Sequence, residues 1–317
     1  MVVDGLERLL AGRDALQLSG GGLKTLAFCG ALEQVDLSRF RIIAGVSGGS
    51  VLALAFVLGY KPSEAADLLS DAGLAGALAM SASPVRALAE GALLDQSLMV
   101  KELARWMRAK GFPADGTFKD LHRHTGGLSL RVVVCTTGPG TRLWVLDERS
   151  TPDEQVLRAV RASIAVPFAF PPVQVAGSLC IDAGLVNNLC LFAAGEDPRR
   201  TLGLLAGRDH EESAAPLGRT LPGALLQLAA NGFKRMDFLM NAELAAHART
   251  ARVVRMPTVP GPDYHIFRLG SNSRADMERL LQQGRDALRA ASCAPELASL
   301  LCFSASFGLF LPSSKRT

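Results

Sequence analysis

The chain has 317 residues, enough for one large α/β domain or two smaller ones around a substantial core. Its residues are 49% hydrophobic and 20% charged, and 34 basic against 30 acidic side chains leave a formal +4. No long run of Lys or Arg occurs, so nucleic-acid binding is not indicated.

Residues 1–13 place Asp4, Glu7 and Arg8 before any apolar stretch, unlike an export signal. The expectation is an intracellular protein, cytoplasmic or peripherally attached to a membrane, without a transmembrane helix. Residues 15–19 read as a short buried strand that stops at Gly20, Gly21 and Gly22, and 23–35 resume with helical spacing. Residues 40–46 form a second apolar run, rich in Ile and Val, ending at Ser47-Gly48-Gly49 before a helix-compatible stretch over 50–58. The glycines and serines of this segment give it turn chemistry, so it is not a membrane span. Two strand-turn-helix units in succession predict an α/β fold with a mostly parallel sheet and helices on both faces.

Residues 62–116 are rich in Ala and Leu and predict helices broken at Pro84 and at glycines. Residues 128–135 and 142–147 predict a hairpin across Thr-Thr-Gly-Pro-Gly-Thr. Thr151-Pro152-Asp153-Glu154 has the residues of a capped helix start. Strands are expected over 201–205 and 252–256 around a helical segment at 221–249, and a helix over 274–291. In the apolar run 297–311, Leu300, Phe303, Phe307, Phe310 and Leu311 share one helical face, followed by Lys315 and Arg316. That face suits either a lipid interface or the chain's own core. The six cysteines, Cys29, Cys135, Cys180, Cys190, Cys293 and Cys302, lack the two-residue spacing of zinc or redox motifs and mostly lie in apolar runs, which predicts reduced, buried thiols.

Gly45-Val46-Ser47-Gly48-Gly49 matches G-x-S-x-G, a sharp strand-to-helix turn that presents a serine hydroxyl as a nucleophile. The pattern is weak alone, but here it follows a predicted strand and precedes a predicted helix. Acyl transfer also needs backbone N–H donors for an oxyanion, and Gly20, Gly21 and Gly22 before a helix can supply them with Gly48. The same glycines lack the Lys-Ser or Lys-Thr of a Walker motif, and Thr25 stands where a dinucleotide fingerprint wants glycine. Lys24 is a candidate charge stabiliser. His122, His124, His210, His247 and His265 lie in polar, loop or helical settings that suit surface positions. Asp182 ends an apolar strand in Cys-Ile-Asp-Ala-Gly-Leu-Val-Asn-Asn and is the better candidate base, provided that its surroundings raise its basicity.

These blocks, with Ala162-Ser163-Ile164-Ala165-Val166-Pro167-Phe168-Ala169-Phe170-Pro171-Pro172 and Asp182-Ala183-Gly184, occur in the order found in the patatin-like phospholipases, which the chain resembles. The resemblance is specific from about Ala15 to Asn188 and fainter to about Ser292. It implies a three-layer patatin-like fold, with a catalytic core over 14–198, a continuation of the same domain over 199–292 and an apolar tail over 293–317. It also implies a Ser-Asp dyad of Ser47 and Asp182, an oxyanion hole, no cofactor or metal, and a lipid acyl ester as substrate with peripheral membrane contact. Three positions depart from the family: Thr25 and Ala183 replace usual glycines, and Cys190 replaces a frequent proline. Two alternatives stay open, an α/β-hydrolase triad with His247 or His265 as base, and an inactive lipid-binding protein.

Overall fold

The computed structural model describes residues 2–70, 92, 94–138, 140–195, 197–206, 252–256 and 274–293. Among these residues the centre is an eight-stranded mixed sheet: β1 (Ala15–Leu18), β2 (Ile42–Val46), β3 (Ser129–Thr136), β4 (Leu143–Leu146), β5 (Val173–Val175), β6 (Ser178–Asp182), β7 (Thr201–Ala206) and β8 (Arg252–Met256). β3, β2, β1, β7 and β8 are parallel in that spatial order, while β4 and β6 each pair antiparallel with β3 and β5 pairs antiparallel with β6. β1 lies between β2 and β7 with all four residues buried, which is why it reads as an uninterrupted short run and not as an alternating one.

The two edges of β3 determine where the site lies. Its residues Val132–Cys135 pair with β4, and its residues Ser129–Val133 pair with β2, so the overlap puts β2 and β4 on opposite edges. β6 pairs with Val134–Thr136, again overlapping β4, and must therefore share the edge used by β2. Thus β2 and β6 lie end to end along one edge of β3, approaching each other head-on.

The described α-helices are α1 (Val2–Leu10), α2 (Leu26–Leu32), α3 (Gly48–Val57), α4 (Pro62–Ser70), α5 (Ser97–Ala109), α6 (Phe118–His124), α7 (Val156–Ser163) and α8 (Arg274–Cys293). On one face of the sheet Leu16, Leu18, Ile43, Val132 and Val134 pack with Phe28, Leu52, Val160 and Leu288 from these helices. Each such fully buried Leu or Phe contributes about 1.5–3 kcal/mol relative to exposure. α3 is buried along nearly its whole length and has no polar face, as a helix enclosed on all sides requires. On the other face Ala44, Val46, Val133 and Cys135 meet Ala183, Cys190, Ala193 and Ala194. Those four belong to a segment with two 3-10 turns, Ala183–Leu185 and Leu191–Ala193, and the small side chains let its backbone lie close to the sheet.

α8 fastens this assembly from its far end. A Cβ on Gly284 would lie 1.8 Å from the Ala27 carbonyl oxygen, and one on Gly30 would lie 1.9 Å from that of Leu281, so α2 and α8 touch backbone to backbone. Arg285 beside the crossing bonds Glu33 and Glu278 at 2.8 and 2.9 Å.

One expected element starts elsewhere. Thr151-Pro152-Asp153-Glu154 does not cap a helix; α7 begins at Val156, because Gln155 is extended and bridges Thr117. The Glu154 carboxylate accepts instead from the amides of Gln155 and Ala176. A capping box does occur at Thr117 and Asp120, where side chain and backbone bond reciprocally at the start of α6. The helix expected from residue 23 opens as a 3-10 turn, Gly22–Thr25, before α2. The helical segment expected at 221–249, the part of 62–116 around Pro84 and the apolar tail beyond Cys293 lie outside the described residues.

Candidate active site

Ser47 joins β2 to α3 with φ 51° and ψ −128°, a conformation that costs a non-glycine residue about 1–3 kcal/mol and holds the side chain clear of both elements. The flanking glycines are steric necessities. A Cβ on Gly45 would stand 2.4 Å from the Gly49 carbonyl oxygen, and one on Gly49 would stand 2.5 Å from those of Leu18 and Ser19. The turn is closed by Ser50, whose amide and hydroxyl both donate to the Ser47 carbonyl, at 2.8 and 2.6 Å. The Ser47 amide donates to Ser163 Oγ at 2.9 Å, and that hydroxyl donates to the Val133 carbonyl at 2.8 Å.

Asp182 ends β6 with no exposure to solvent. Its Oδ1 accepts the Gly184 amide at 2.7 Å and its own amide donates to the Ala165 carbonyl at 3.0 Å. Val46 pairs with Val133 and Asp182 with Val134, so the strand ends bearing Ser47 and Asp182 meet opposite consecutive residues of β3. That spacing is one strand step, about 3.3 Å.

The glycine loop runs along the other side of Ser47. The Gly20 amide donates to the Asn188 carbonyl at 3.0 Å, and Asn188 Nδ2 donates back to the Gly20 carbonyl at 3.1 Å. A Cβ on Gly20 would meet Asn188 Oδ1 at 2.4 Å and the Ser47 Cβ at 3.0 Å, so this residue is pinned against the serine. Gly48 and Gly22 are in contact, a Cβ on Gly48 falling 2.9 Å from the Gly22 carbonyl oxygen. The first amides of a helix have no acceptor within it, so the starts of the 3-10 turn and of α3 open together beside Ser47. Of the four glycines expected to donate, Gly20 already spends its amide on Asn188, which leaves Gly21, Gly22 and Gly48. Lys24 is half-buried on the same turn.

The three departures from the family pattern are accommodated. The buried Thr25 hydroxyl donates to the Gly22 carbonyl at 2.7 Å and closes the turn after the loop. Ala183 packs its methyl in the smaller core. Cys190 has φ 52° and donates its amide to Asn187 Oδ1 at 2.7 Å, and a proline could do neither.

His122 and His124 end α6, just before β3 begins at Ser129, whereas Ser47 and Asp182 lie beside Val133 and Val134 further along that strand. His210, His247 and His265 lie outside the described residues. Burial pushes the Cys180 thiol up to about 11, and the Cys135 thiol is raised by burial and by the nearby Asp182 charge, so both remain protonated at neutral pH. Cys29, Cys135, Cys180 and Cys190 are buried and outside any disulfide, while Cys293 is exposed; Cys302 lies outside the described residues. Among the described residues no group of three His, Cys, Asp or Glu side chains is arranged to hold a metal ion. Sequence reasoning missed two polar side chains, Ser163 and Asn188. Both stood within quoted blocks, but nothing local showed that they reach Ser47 and Gly20.

A serine on a strained strand-to-helix turn beside two helix starts, in a mixed α/β sheet, is an arrangement that acyl-transfer hydrolases use. The family profile described as patatin-like phospholipase matches residues 16–194, more than half of the chain, and the chain belongs to that family. It is thus a patatin-like hydrolase of lipid esters. Relatives include the uncharacterized protein R571 of Acanthamoeba polyphaga mimivirus, 26% identical over 65% of this chain and 70% of its own length. A probable lipid hydrolase, 463L, of Invertebrate iridescent virus 6 is 26% identical over 55% of this chain and 60% of its own length. An uncharacterized NTE family protein of Mycobacterium tuberculosis (strain H37Rv) is 29% identical over 90% of this chain, which spans 48% of that protein. Among solved structures, VipD from Legionella pneumophila aligns with a TM-score of 0.48 and 16% identity, over 89% of this chain and 67% of its own. No helix among the described residues is long and apolar enough to cross a membrane.

Proposed function

We propose that the chain hydrolyses the acyl ester of a phospholipid, lysophospholipid or glyceride through a Ser47–Asp182 dyad, at a lipid surface that it contacts peripherally. The observation that carries this reading is the head-on meeting of β2 and β6, which sets the serine turn and a fully buried carboxylate opposite consecutive residues of β3.

In this reading Asp182 takes the proton of the Ser47 hydroxyl as Oγ attacks the acyl carbonyl. The tetrahedral oxyanion is held by the amides of Gly21, Gly22 and Gly48, with the positive ends of two helix starts behind them. Lys24, half-buried on the same turn, is the candidate charge stabiliser for the oxyanion or a substrate phosphate. Collapse breaks the ester bond, and the departing alcohol takes the proton from Asp182, leaving Ser47 acylated. Water then gives its proton to Asp182 and its oxygen to the acyl carbon; as the fatty acid leaves, Ser47 Oγ recovers its proton from Asp182. Asp182 is fully buried, and the Gly184 amide bonded to its Oδ1 fixes the orientation of the carboxylate.

The test is labelling by a fluorophosphonate probe together with turnover of a short soluble ester. Ser47→Ala should abolish both, Asp182→Asn should lower turnover by three or more orders of magnitude (roughly, by analogy with loss of a paired catalytic group), and no histidine-to-alanine change should do the same. Inactivation by His247→Ala or His265→Ala would replace the dyad with a triad.

A further inference from the structure

We propose that Ser163 is the positioning residue of the reaction, its hydroxyl setting where the nucleophile stands relative to the base; this rests on the reading of Ser47 as nucleophile. Ser163 is the last residue of α7 and is fully buried. Its Oγ is interposed between the Ser47 amide, 2.9 Å away, and the Val133 carbonyl, 2.8 Å away. Val133 is the β3 residue that pairs with Val46, so a hydroxyl stands where a parallel ladder would continue by direct amide-to-carbonyl bonding. The interposed oxygen keeps the chain at Ser47 off the edge of β3, in the space that its unusual φ demands.

The same turn of chain reaches the base. Two residues beyond Ser163, the Ala165 carbonyl accepts the Asp182 amide at 3.0 Å. One short stretch leaving α7 therefore fixes the backbones of both Ser47 and Asp182, which come from different strands. Ser163 touches neither substrate nor reacting atoms in this account; it acts through the Ser47 backbone. Without the hydroxyl, a part-buried amide and a buried carbonyl either lose their partner or close on each other. Closure would drag Ser47 toward β3, away from Gly20 and Gly22, and misplacement of a reacting group by about 1 Å can cost about a hundredfold in rate.

The experiment compares wild type, Ser163→Ala and Ser163→Thr by steady-state hydrolysis of a short p-nitrophenyl ester, by the rate of fluorophosphonate labelling and by thermal unfolding. Ser163→Ala should lower kcat and the labelling rate about 10- to 100-fold per folded molecule, with KM changed less than about threefold. Ser163→Thr, which keeps the hydroxyl, should recover most of that loss. A purely structural serine would lower the unfolding temperature and leave kcat per folded molecule unchanged, and that result overturns the proposal, as does a threonine variant no faster than the alanine one. Should the alanine variant not fold, Ser163→Cys keeps a single, somewhat larger γ atom with only weak hydrogen bonding; wild-type kcat in that variant overturns the proposal equally. Wild-type activity that survives Ser47→Ala would defeat the nucleophile reading itself, whereas unchanged kcat in Ser163→Ala, with Ser47→Ala inactive, defeats the positioning role alone.

Discussion

Asn188 binds Gly20 from both sides, accepting its amide through the backbone carbonyl and donating to its carbonyl through Nδ2. Ser19 adds a third bond, its hydroxyl donating to the same Gly20 carbonyl at 2.9 Å while accepting the Ala206 amide. The loop that carries the proposed oxyanion donors is thereby tied to the segment that follows Asp182. Asn188→Leu preserves bulk and removes the side-chain bond, so kcat on a soluble ester should fall about tenfold or more with the fold intact, as for other groups that hold a donor in place. Gly20→Ala should be at least as damaging, since the new methyl enters space held by Asn188 Oδ1 and the Ser47 Cβ. Near-wild-type kcat in either variant, with native thermal unfolding, would show that the loop holds its shape without this tie. At this scale the candidate serine, aspartate and glycines were legible in the sequence, because their chemistry is written in residue type. The sequence did not reveal Ser163 or Asn188 as supports, since a serine or asparagine has no local signature for a partner more than a hundred positions away.

α2 follows the glycine loop directly, and its position depends on the crossing with α8. Gly30→Ala or Gly284→Ala would drive a Cβ into a backbone carbonyl that cannot rotate aside, so the helices must separate. Overpacking of this kind costs about 1–3 kcal/mol, and each variant should unfold several degrees below wild type in a thermal scan, the double variant being less than additive because both methyls force one separation. At the start of α6 the Asp120 carboxyl is held below the usual carboxylate range, first by the Thr117 hydroxyl and then by the Thr117 amide. A depressed pKa means that the cap's contribution is present above about pH 4, the ordinary carboxylate range, and is lost as pH falls through the folded-state value. Asp120→Ala should therefore lower the unfolding temperature at pH 7 and have little effect near pH 2; an equal effect at both pH values would assign the loss to something other than the charged cap. The buried parallel strands were legible as short apolar runs stopped by glycine, and α8 as a periodic pattern. The start of α7 was not, because Thr151-Pro152-Asp153-Glu154 has capping residues while Gln155 is captured by a bridge to Thr117 from a distant part of the chain.

Across the whole molecule, residues far apart in sequence are interleaved. β1 lies between β2 and β7, and β8 pairs beyond β7, so the strands after Asp182 complete the sheet that the first two began. The sharing of one β3 edge by β2 and β6 could not be read from any window of sequence, because it depends on register between strands and not on the pattern within one. The crossing of Gly30 with α8 has a bearing on biosynthesis. A ribosome releases Ser47 and Asp182 well before Gly284, so the nascent chain already holds the proposed dyad while α2 and the glycine loop ahead of it still lack the helix that clamps them. The clamp on α2 and on the glycine loop ahead of it is thus among the last of the described elements to be made, after both residues of the proposed dyad.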